Sequence, residues 1–420
     1  MPLTIYAEFQ PRPAASETVC VVGLGYIGLP TAAVLAKAGY TVVGVDIDPS
    51  VVESLNAGRP HIVEVGLEAL IGEVVSGGAL TATTEIPVAD AYLITVPTPV
   101  RDGREPDLSY VFAAGRAIAP RLAKGALVVL ESTSPVGATR QLIDILAAER
   151  PDLRFPTPGC DEDAVDIDVV YSPERVIPGR TLIELASNDR VVGGATPRSA
   201  RRAAAIYRAL TQGELLLTDD RSAEFVKLAE NSFRDVNIAF ANELSMVCDR
   251  LGLNVWEVIA LANHHPRVNI LTPGAGVGGH CIAVDPWFIV AQAPEQARLI
   301  RTAREVNDSK PGFVIDKVRA LMDADPSARL ACLGLAFKPD VDDFRGSPAL
   351  AIARALSSLY PGRVVCAEPY AHALDAPDLT IAPIEEAVAC EVIVSLVAHK
   401  AFRELDRPAQ SLVDPCGLWH

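Results

Sequence analysis

At 420 residues, half of them hydrophobic, the chain is too long for one ordinary core and is expected to divide into two or three domains. Charged residues make up 21% and the net charge is −16, which suits a soluble globular protein and excludes a global field that would gather nucleic acid or an anionic membrane. Any phosphate-bearing ligand must then be held locally, by backbone N–H groups or by a few placed cations. Residues 1–17 lack the basic and apolar regions of a signal peptide and read as a flexible lead-in. No apolar run is long enough to span a bilayer.

From 18 to 218, short apolar runs alternate with helical stretches. The strand candidates are TVCVVGL, TVVGVDI, AYLITV, ALVVLEST and DVVYS. They are β-branched and continuously apolar, as in a parallel sheet covered on both faces. From 219 to 310 the pattern becomes helical. A long helix is expected over SAEFVKLAENSFRDVNIAFANELSMVCDRLGL and a shorter one over NVWEVIALAN, with a glycine-rich loop at 274–279 and more helix to about 307. From 311 to 420 a second α/β pattern appears, with strands in RLACLGLAF, GRVVCAEPY and EVIVSLVA. The helix SPALAIARALSSLY lies between the first two, with Ser347 as N-cap and Pro348 at its first position. The predicted fold is therefore α/β, with two Rossmann-like doubly wound parallel-sheet domains joined by a central helical region. The apolar central helices are suited to a homodimer interface.

The first strand runs into Gly23-x-Gly25-x-x-Gly28, which opens a helix. Glycines so spaced allow a tight turn, close approach of backbone to a pyrophosphate, and tight helix–strand packing. The helix N-terminus then faces the phosphates. Asp46 ends the next strand, where a carboxylate accepts from a ribose diol and repels a 2′-phosphate, so NAD is favoured over NADP. Thr95-Val96-Pro97-Thr98, Glu131-Ser132-Thr133 and Ser172-Pro173-Glu174-Arg175 each follow an apolar run, at the strand ends where open parallel sheets bind ligands. Turn chemistry alone would also explain each.

The stretch PGAGVGGHCIAVDPWF sets glycines 274, 276, 278 and 279 before His280 and Cys281. A cysteine displayed at the end of such a loop is a nucleophile candidate; a packed cysteine beside a flexible loop is the bland alternative. The eight cysteines show no CxxC pair and read as reduced thiols of a cytoplasmic chain, most of them buried like Cys20. Asp285 before Pro286 reads as a helix N-cap, which does not preclude orienting a water. Lys227, Asn231 and Arg234 share one face of the long helix; if buried, that stripe needs an anionic partner. His264, His265 and Arg267 form a polar cluster whose spacing to Cys281 fits no tetrahedral zinc pattern, so no metal is expected.

GLGYIGLP with Asp46, VPTP, EST at 131–133, SPER at 172–175, KLAENSFRDVNIAFANEL, GVGGHCIAVDP and FKPDVDDFRGSPA together resemble the UDP-glucose/GDP-mannose dehydrogenase family, in order and over nearly the whole chain. ANHHPRVNI followed by GVGGHCIAVDPWFIVAQ looks like the branch that oxidises UDP-N-acetyl-D-mannosamine. UDP-glucose dehydrogenases usually carry a lysine where Val284 stands. The resemblance implies an NAD-binding domain over 18–218, a central dimerisation region with the Cys loop over 219–310, and a nucleotide-sugar (UDP) binding domain over 311–420.

It also implies a four-electron oxidation at the sugar C6, using two NAD per substrate and passing through a thiohemiacetal and a thioester on Cys281. The product would be an aminouronic acid for cell-surface polysaccharide. Lys227 and Asn231 would stabilise oxyanions, and Glu174 or Asp285 would activate water. By the same resemblance Gly23, Gly25, Tyr26, Ile27, Gly28, Asp46, Thr98, Thr133, Thr139 and Arg345 meet the cofactor. Arg175, Val176, Arg234, His265, Arg267, Gly278 and Lys338 join Lys227 and Asn231 around the substrate. Related chains carry a basic residue near the C-terminus, where DPCGLWH offers Cys416 and His420. UDP-N-acetylglucosamine and GDP-mannose are alternative substrates. A two-electron hydroxy-acid dehydrogenase and a non-catalytic NAD-binding sensor are the rival functions; NADH counted per substrate separates them.

Overall fold

The apolar β-branched runs pair into sheets where the sequence places them. In the computed structural model, which describes residues 17–99, 105–176, 179–279 and 281–420, the chain divides into two compact units, 1–228 and 229–420. Residues 1–16 of the lead-in, and His280, lie outside the described residues.

In the first unit β1 (Thr18–Val22), β2 (Thr41–Val45), β3 (Leu80–Thr83), β4 (Ala91–Ile94), β5 (Leu127–Leu130), β6 (Asp168–Tyr171), β7 (Arg190–Gly194) and β8 (Leu215–Asp219) form one sheet. Its order is β3-β2-β1-β4-β5-β6-β7-β8. Neighbours run parallel except β6 and β7, which pair antiparallel. β4, β5 and β6 are buried at every residue, as befits strands covered on both faces. The sequence signal missed β3, β7 and β8. LTAT alternates apolar and polar residues over only four positions, and RVVGG ends in two glycines that weaken a strand pattern. The strand order reverses between β1 and β4, and such a switch point opens a crevice at the strands' carboxyl ends.

The long helix spans Asp220–Leu251. In the second unit the helix Val255–Ala262 is N-capped by Asn254, whose side chain accepts from the N–H groups of Trp256 and Glu257. The helix Arg298–Ala324 continues through Pro311 and so crosses the expected boundary at 310–311 without a break. β9 (Leu330–Leu333), β10 (Val364–Ala367), β11 (Val392–Ser395) and β12 (Ser411–Val413) make a parallel sheet in the order β10-β9-β11-β12. The helix Pro348–Leu359 begins as expected, with the Ser347 hydroxyl accepting from Leu350 N–H at 3.2 Å. Among the described residues no helix is long and apolar enough to cross a membrane.

The two sheets repeat one turn. After β1, Gly23 N–H donates to Val45 O at 2.8 Å and Leu24 N–H to Asp46 Oδ2 at 2.9 Å. After β9, Gly334 N–H donates to Ala367 O at 2.9 Å and Leu335 N–H to Glu368 Oε2 at 2.6 Å. An acidic residue past the second strand thus holds the glycine turn in both units. Where the first turn has Gly25 the second has Ala336, which is fully buried. Glu368 also faces the buried His399, whose Nε2 lies 3.3 Å away.

Candidate active site

The three glycines of the first turn do three different things. Gly23 adopts φ +94°, a left-handed conformation that only glycine takes without strain. At Gly28 a Cβ would stand 1.9 Å from Gly23 O and 2.4 Å from Thr95 Oγ1, so the helix Gly28–Lys37 can start there only without a side chain. At Gly25 a Cβ would meet nothing within 4 Å. That open face is where a pyrophosphate can approach, and no side chain caps the helix N-terminus beside it. The site fits NAD on these observations. Asp46 spends one oxygen on Leu24 N–H and the other on Asp48 N–H, and each carboxylate oxygen retains a lone pair for a ribose hydroxyl. Tyr26 is 41% exposed at the turn; Ile27, Thr98 and Thr133 are half-buried.

Hydrogen bonds tie the strand-end loops of the first sheet together. Thr95 Oγ1 donates to Gly23 O at 2.6 Å, and Ser132 Oγ to Val96 O at 2.6 Å. Thr139, expected at the cofactor, is wholly buried, and its N–H and hydroxyl both donate to Glu224 Oε1 at 2.7 Å. Glu224 also accepts from Gly137 N–H at 2.6 Å. Thr139 therefore shapes the loop from behind. Glu224, which the sequence reading missed, caps the helix Ala138–Glu149 from the long helix.

Glu174 is held by a buried network. Its Oε1 accepts from Arg175 N–H at 2.6 Å, its Oε2 pairs with Arg190, and its main-chain carbonyl accepts from Lys227 Nζ at 3.0 Å. Arg190 also reaches Glu131, to which the Tyr207 hydroxyl donates at 2.6 Å. Burial pushes both the Glu131 carboxyl and the Tyr207 phenol above their usual ranges, with nearby Arg190 pulling each back down. The Arg175 guanidinium donates to Asp189 O; Val176 is half-buried. Arg190 and Tyr207 escaped the sequence reading because the chain brings them to Glu174 only through β7 and the helix Pro197–Tyr207.

In the second unit Cys281 is exposed. Its carbonyl accepts from Asp285 N–H at 2.8 Å, and the Asp285 carboxylate, 2% exposed, accepts from Asn231 Nδ2 at 2.5 Å. This corrects the N-cap reading. Val284 is the N-cap of the helix Asp285–Gln292 and makes no side-chain cap, so Asp285 stands one residue inside with its carboxylate turned to Asn231. The glycine loop lies against its own unit. Its close approaches are to the chain itself: a Cβ on Gly278 would stand 2.6 Å from Pro348 Cδ and 2.7 Å from Gly346 O, and one on Gly279 3.1 Å from the Phe337 ring. A second network steadies the loop. Arg304 and Asn307 bind the fully buried Asp235, Asn307 accepts from Asn242 at 2.9 Å, and Asn242 accepts from Gly274 N–H at 2.9 Å.

The Lys227–Asn231–Arg234 stripe grades outward. Lys227 is buried, Asn231 half-buried and Arg234 exposed. His265 and Arg267 are exposed on a loop where Arg267 N–H donates to His265 Nδ1 at 3.3 Å. Lys338 lies half-buried with its Nζ 5.6 Å from the centre of the Phe337 ring. Arg345 makes a two-pronged pair with Asp343 at 2.9 and 2.6 Å. That pair is exposed and worth at most about 1 kcal/mol, so a phosphate could displace it. At the C-terminus His420 stacks on Trp256 at 5.0 Å, and burial pushes the Cys416 thiol up to about 12.

Models of the UDP-glucose/GDP-mannose dehydrogenase family match three segments in order: the NAD binding domain at 17–211, the central domain at 221–309 and the UDP binding domain at 331–415. An NDP-N-acetyl-D-galactosaminuronic acid dehydrogenase of Ralstonia nicotianae is 54% identical, over 96% of each chain. A UDP-N-acetyl-D-mannosamine dehydrogenase of Escherichia coli is 52% identical, over 96% of this chain and 99% of its own. Among solved structures, a UDP-D-ManNAc dehydrogenase from Pyrococcus horikoshii superposes with TM-score 0.84 at 37% identity, covering 96% of each chain. With the glycine turn, the strand-end loops and an exposed cysteine in place, the chain belongs to the UDP-glucose/GDP-mannose dehydrogenase family.

Proposed function

We propose that the chain oxidises the C6 alcohol of UDP-N-acetyl-D-mannosamine to the carboxylate, with Cys281 as covalent nucleophile. The observation that carries this reading is the exposure of Cys281 beside the buried, Asn231-bound Asp285, in a chain 52% identical to a dehydrogenase named for that sugar. NAD, held at the Gly23–Gly28 turn beside Asp46, would supply the hydride acceptor for each of two oxidations. Between them the Cys281 sulfur bonds to the aldehyde carbon, and the resulting thiohemiacetal loses the second hydride to leave a thioester. Water then forms the C–O bond, the C–S bond breaks, and the thiol is restored. Lys227 and Asn231 stabilise the oxyanions at C6, and Glu174 or Asp285 takes the proton of the water. Arg175, Val176, Arg234, His265, Arg267, Gly278 and Lys338 surround the nucleotide sugar, and Arg345 serves a cofactor phosphate.

We further propose a homodimer through the long helix. Phe233, Phe240 and Val247 recur at seven-residue spacing and are 71%, 54% and 46% exposed, the pattern of a helix seam. The reaction draws on NAD and a sugar nucleotide, which suits a cytoplasmic enzyme supplying an aminouronic acid for surface polysaccharide.

The test is NADH counted per substrate across a panel of sugar nucleotides. Two NADH with UDP-N-acetyl-D-mannosamine is expected; one NADH would end the thioester mechanism. The 54% identity to the galactosaminuronic acid enzyme favours a second reading, an NDP-N-acetyl-D-galactosamine substrate; higher kcat/KM on that sugar would establish it.

A further inference from the structure

Two buried carboxylates of the first unit share one guanidinium. Arg190, 4% exposed on β7, pairs through Nη2 with Glu174 Oε2, and its Nη1 lies 3.3 Å from Glu131 Oε1. Glu131 has no exposed side-chain surface. Its Oε1 accepts from the Tyr207 hydroxyl at 2.6 Å, and its Oε2 is buried with no hydrogen-bond partner among the described residues. The Arg190 guanidinium stacks over the Tyr207 ring, 4.3 Å from its centre. Arg190 cannot lose its proton, so it cannot relay one. What it can do is divide its field between the two acids. A buried anion with an unsatisfied oxygen draws strongly on the nearest cation, and whatever Arg190 gives to Glu131 it withholds from Glu174.

We propose that Glu131 and Arg190 are positioning residues that set the basicity of Glu174. Arg190 fixes the Glu174 carboxylate, and Glu131 weakens Arg190's hold enough for Glu174 to accept the proton of the water that hydrolyses the Cys281 thioester. The proposal rests on the thioester reading above, taken with Glu174 as the acceptor. In that step the water oxygen bonds to the acyl carbon, its proton passes to Glu174, and the C–S bond breaks with the electron pair leaving on sulfur.

Three groups meet Glu174, Arg190 from β7 and the Arg175 N–H at its carboxylate and Lys227 from the long helix at its main-chain carbonyl; Glu131, from the end of β5, meets Arg190, and Tyr207, from the helix Pro197–Tyr207, meets Glu131. Removing the Glu131 charge leaves Arg190 wholly to Glu174, which then holds a proton less readily. Removing the guanidinium leaves Glu174 beside a like charge, and it then holds a proton more readily.

The experiment is the pH dependence of single-turnover uronate release in the full-length enzyme. Glu131→Gln should move the acid limb down by roughly one pH unit, and Arg190→Gln should move it up by at least as much. Tyr207→Phe removes a donor to Glu131 and leaves that carboxylate drawing harder on Arg190, so it should move the limb up, by less than Arg190→Gln does. Opposite shifts are the signature, since general damage to the fold would lower rates without moving the limb in two directions. If Arg190→Gln does not fold, Glu131→Gln and Tyr207→Phe decide. An unmoved or upward limb in folded Glu131→Gln overturns the inference. A wild-type enzyme that makes no NADH with any sugar nucleotide defeats the thioester reading instead, before this comparison begins.

Discussion

One methyl group at Gly28 is enough to break the cofactor turn, because it would sit 1.9 Å from Gly23 O. Gly28→Ala is expected to destabilise the protein by about 1–3 kcal/mol and to abolish NAD binding, read by thermal melting and NAD titration. Gly25→Ala faces open space and should leave the melting temperature nearly unchanged while weakening NAD. Cys281→Ser should fall from two NADH per sugar to at most one, or stall as a covalent adduct.

Lys310 offers a stability prediction. It is 2% exposed, bonds to Ser245 Oγ, and burial pushes its ammonium down to about 8. The folded state thus disfavours the charged form relative to the unfolded chain. The cost is fully present below pH 8 and disappears as pH rises toward the unfolded value near 10.4. Lys310→Met should therefore melt higher than the parent at pH 7, with the gap closing by pH 10. An unchanging gap would assign the effect to packing. At this scale the glycine turn, Asp46 and Cys281 were legible, because each stands in a local pattern. Arg190, Tyr207 and Glu224 were not, because their partners are distant in sequence.

Elements with local start signals appear where the residues place them. Ser347 caps the helix Pro348–Leu359 through Leu350 N–H, and Ser347→Ala should cost about 2 kcal/mol in denaturant unfolding. The Ser347 hydroxyl also donates to Leu335 O at 2.7 Å, so the loss should stand at the upper end of the capping range. Asp285 shows the limit of such signals. Asp-Pro reads as a cap, but the Cys281 turn winds one residue earlier and frees the carboxylate for Asn231. The glycines at 276, 278 and 279 mark close approach, as expected of glycine. Sequence could not say that Pro311, Pro348 and Phe337 make that approach. β3 and β7 were invisible because a short strand's identity comes from the neighbours it pairs with.

For the whole molecule the proposed seam is directly testable. Phe233→Glu with Phe240→Glu should convert a dimer to a monomer in light scattering without lowering the melting temperature of the isolated fold by more than a few degrees. A dimer that survives both changes has its seam elsewhere. By itself the sequence determined the α/β class, the two sheet-forming halves, the NAD turn and the candidate nucleophile, because these are written in periodicity and in residues with unusual backbone freedom. Tertiary structure alone decided that β7 runs against β6, that Glu368 faces His399 where Asp46 stays open, and which side chains grip Glu174 and Asp285. Those outcomes depend on which buried polar groups find partners across tens of residues, and no local pattern encodes that pairing.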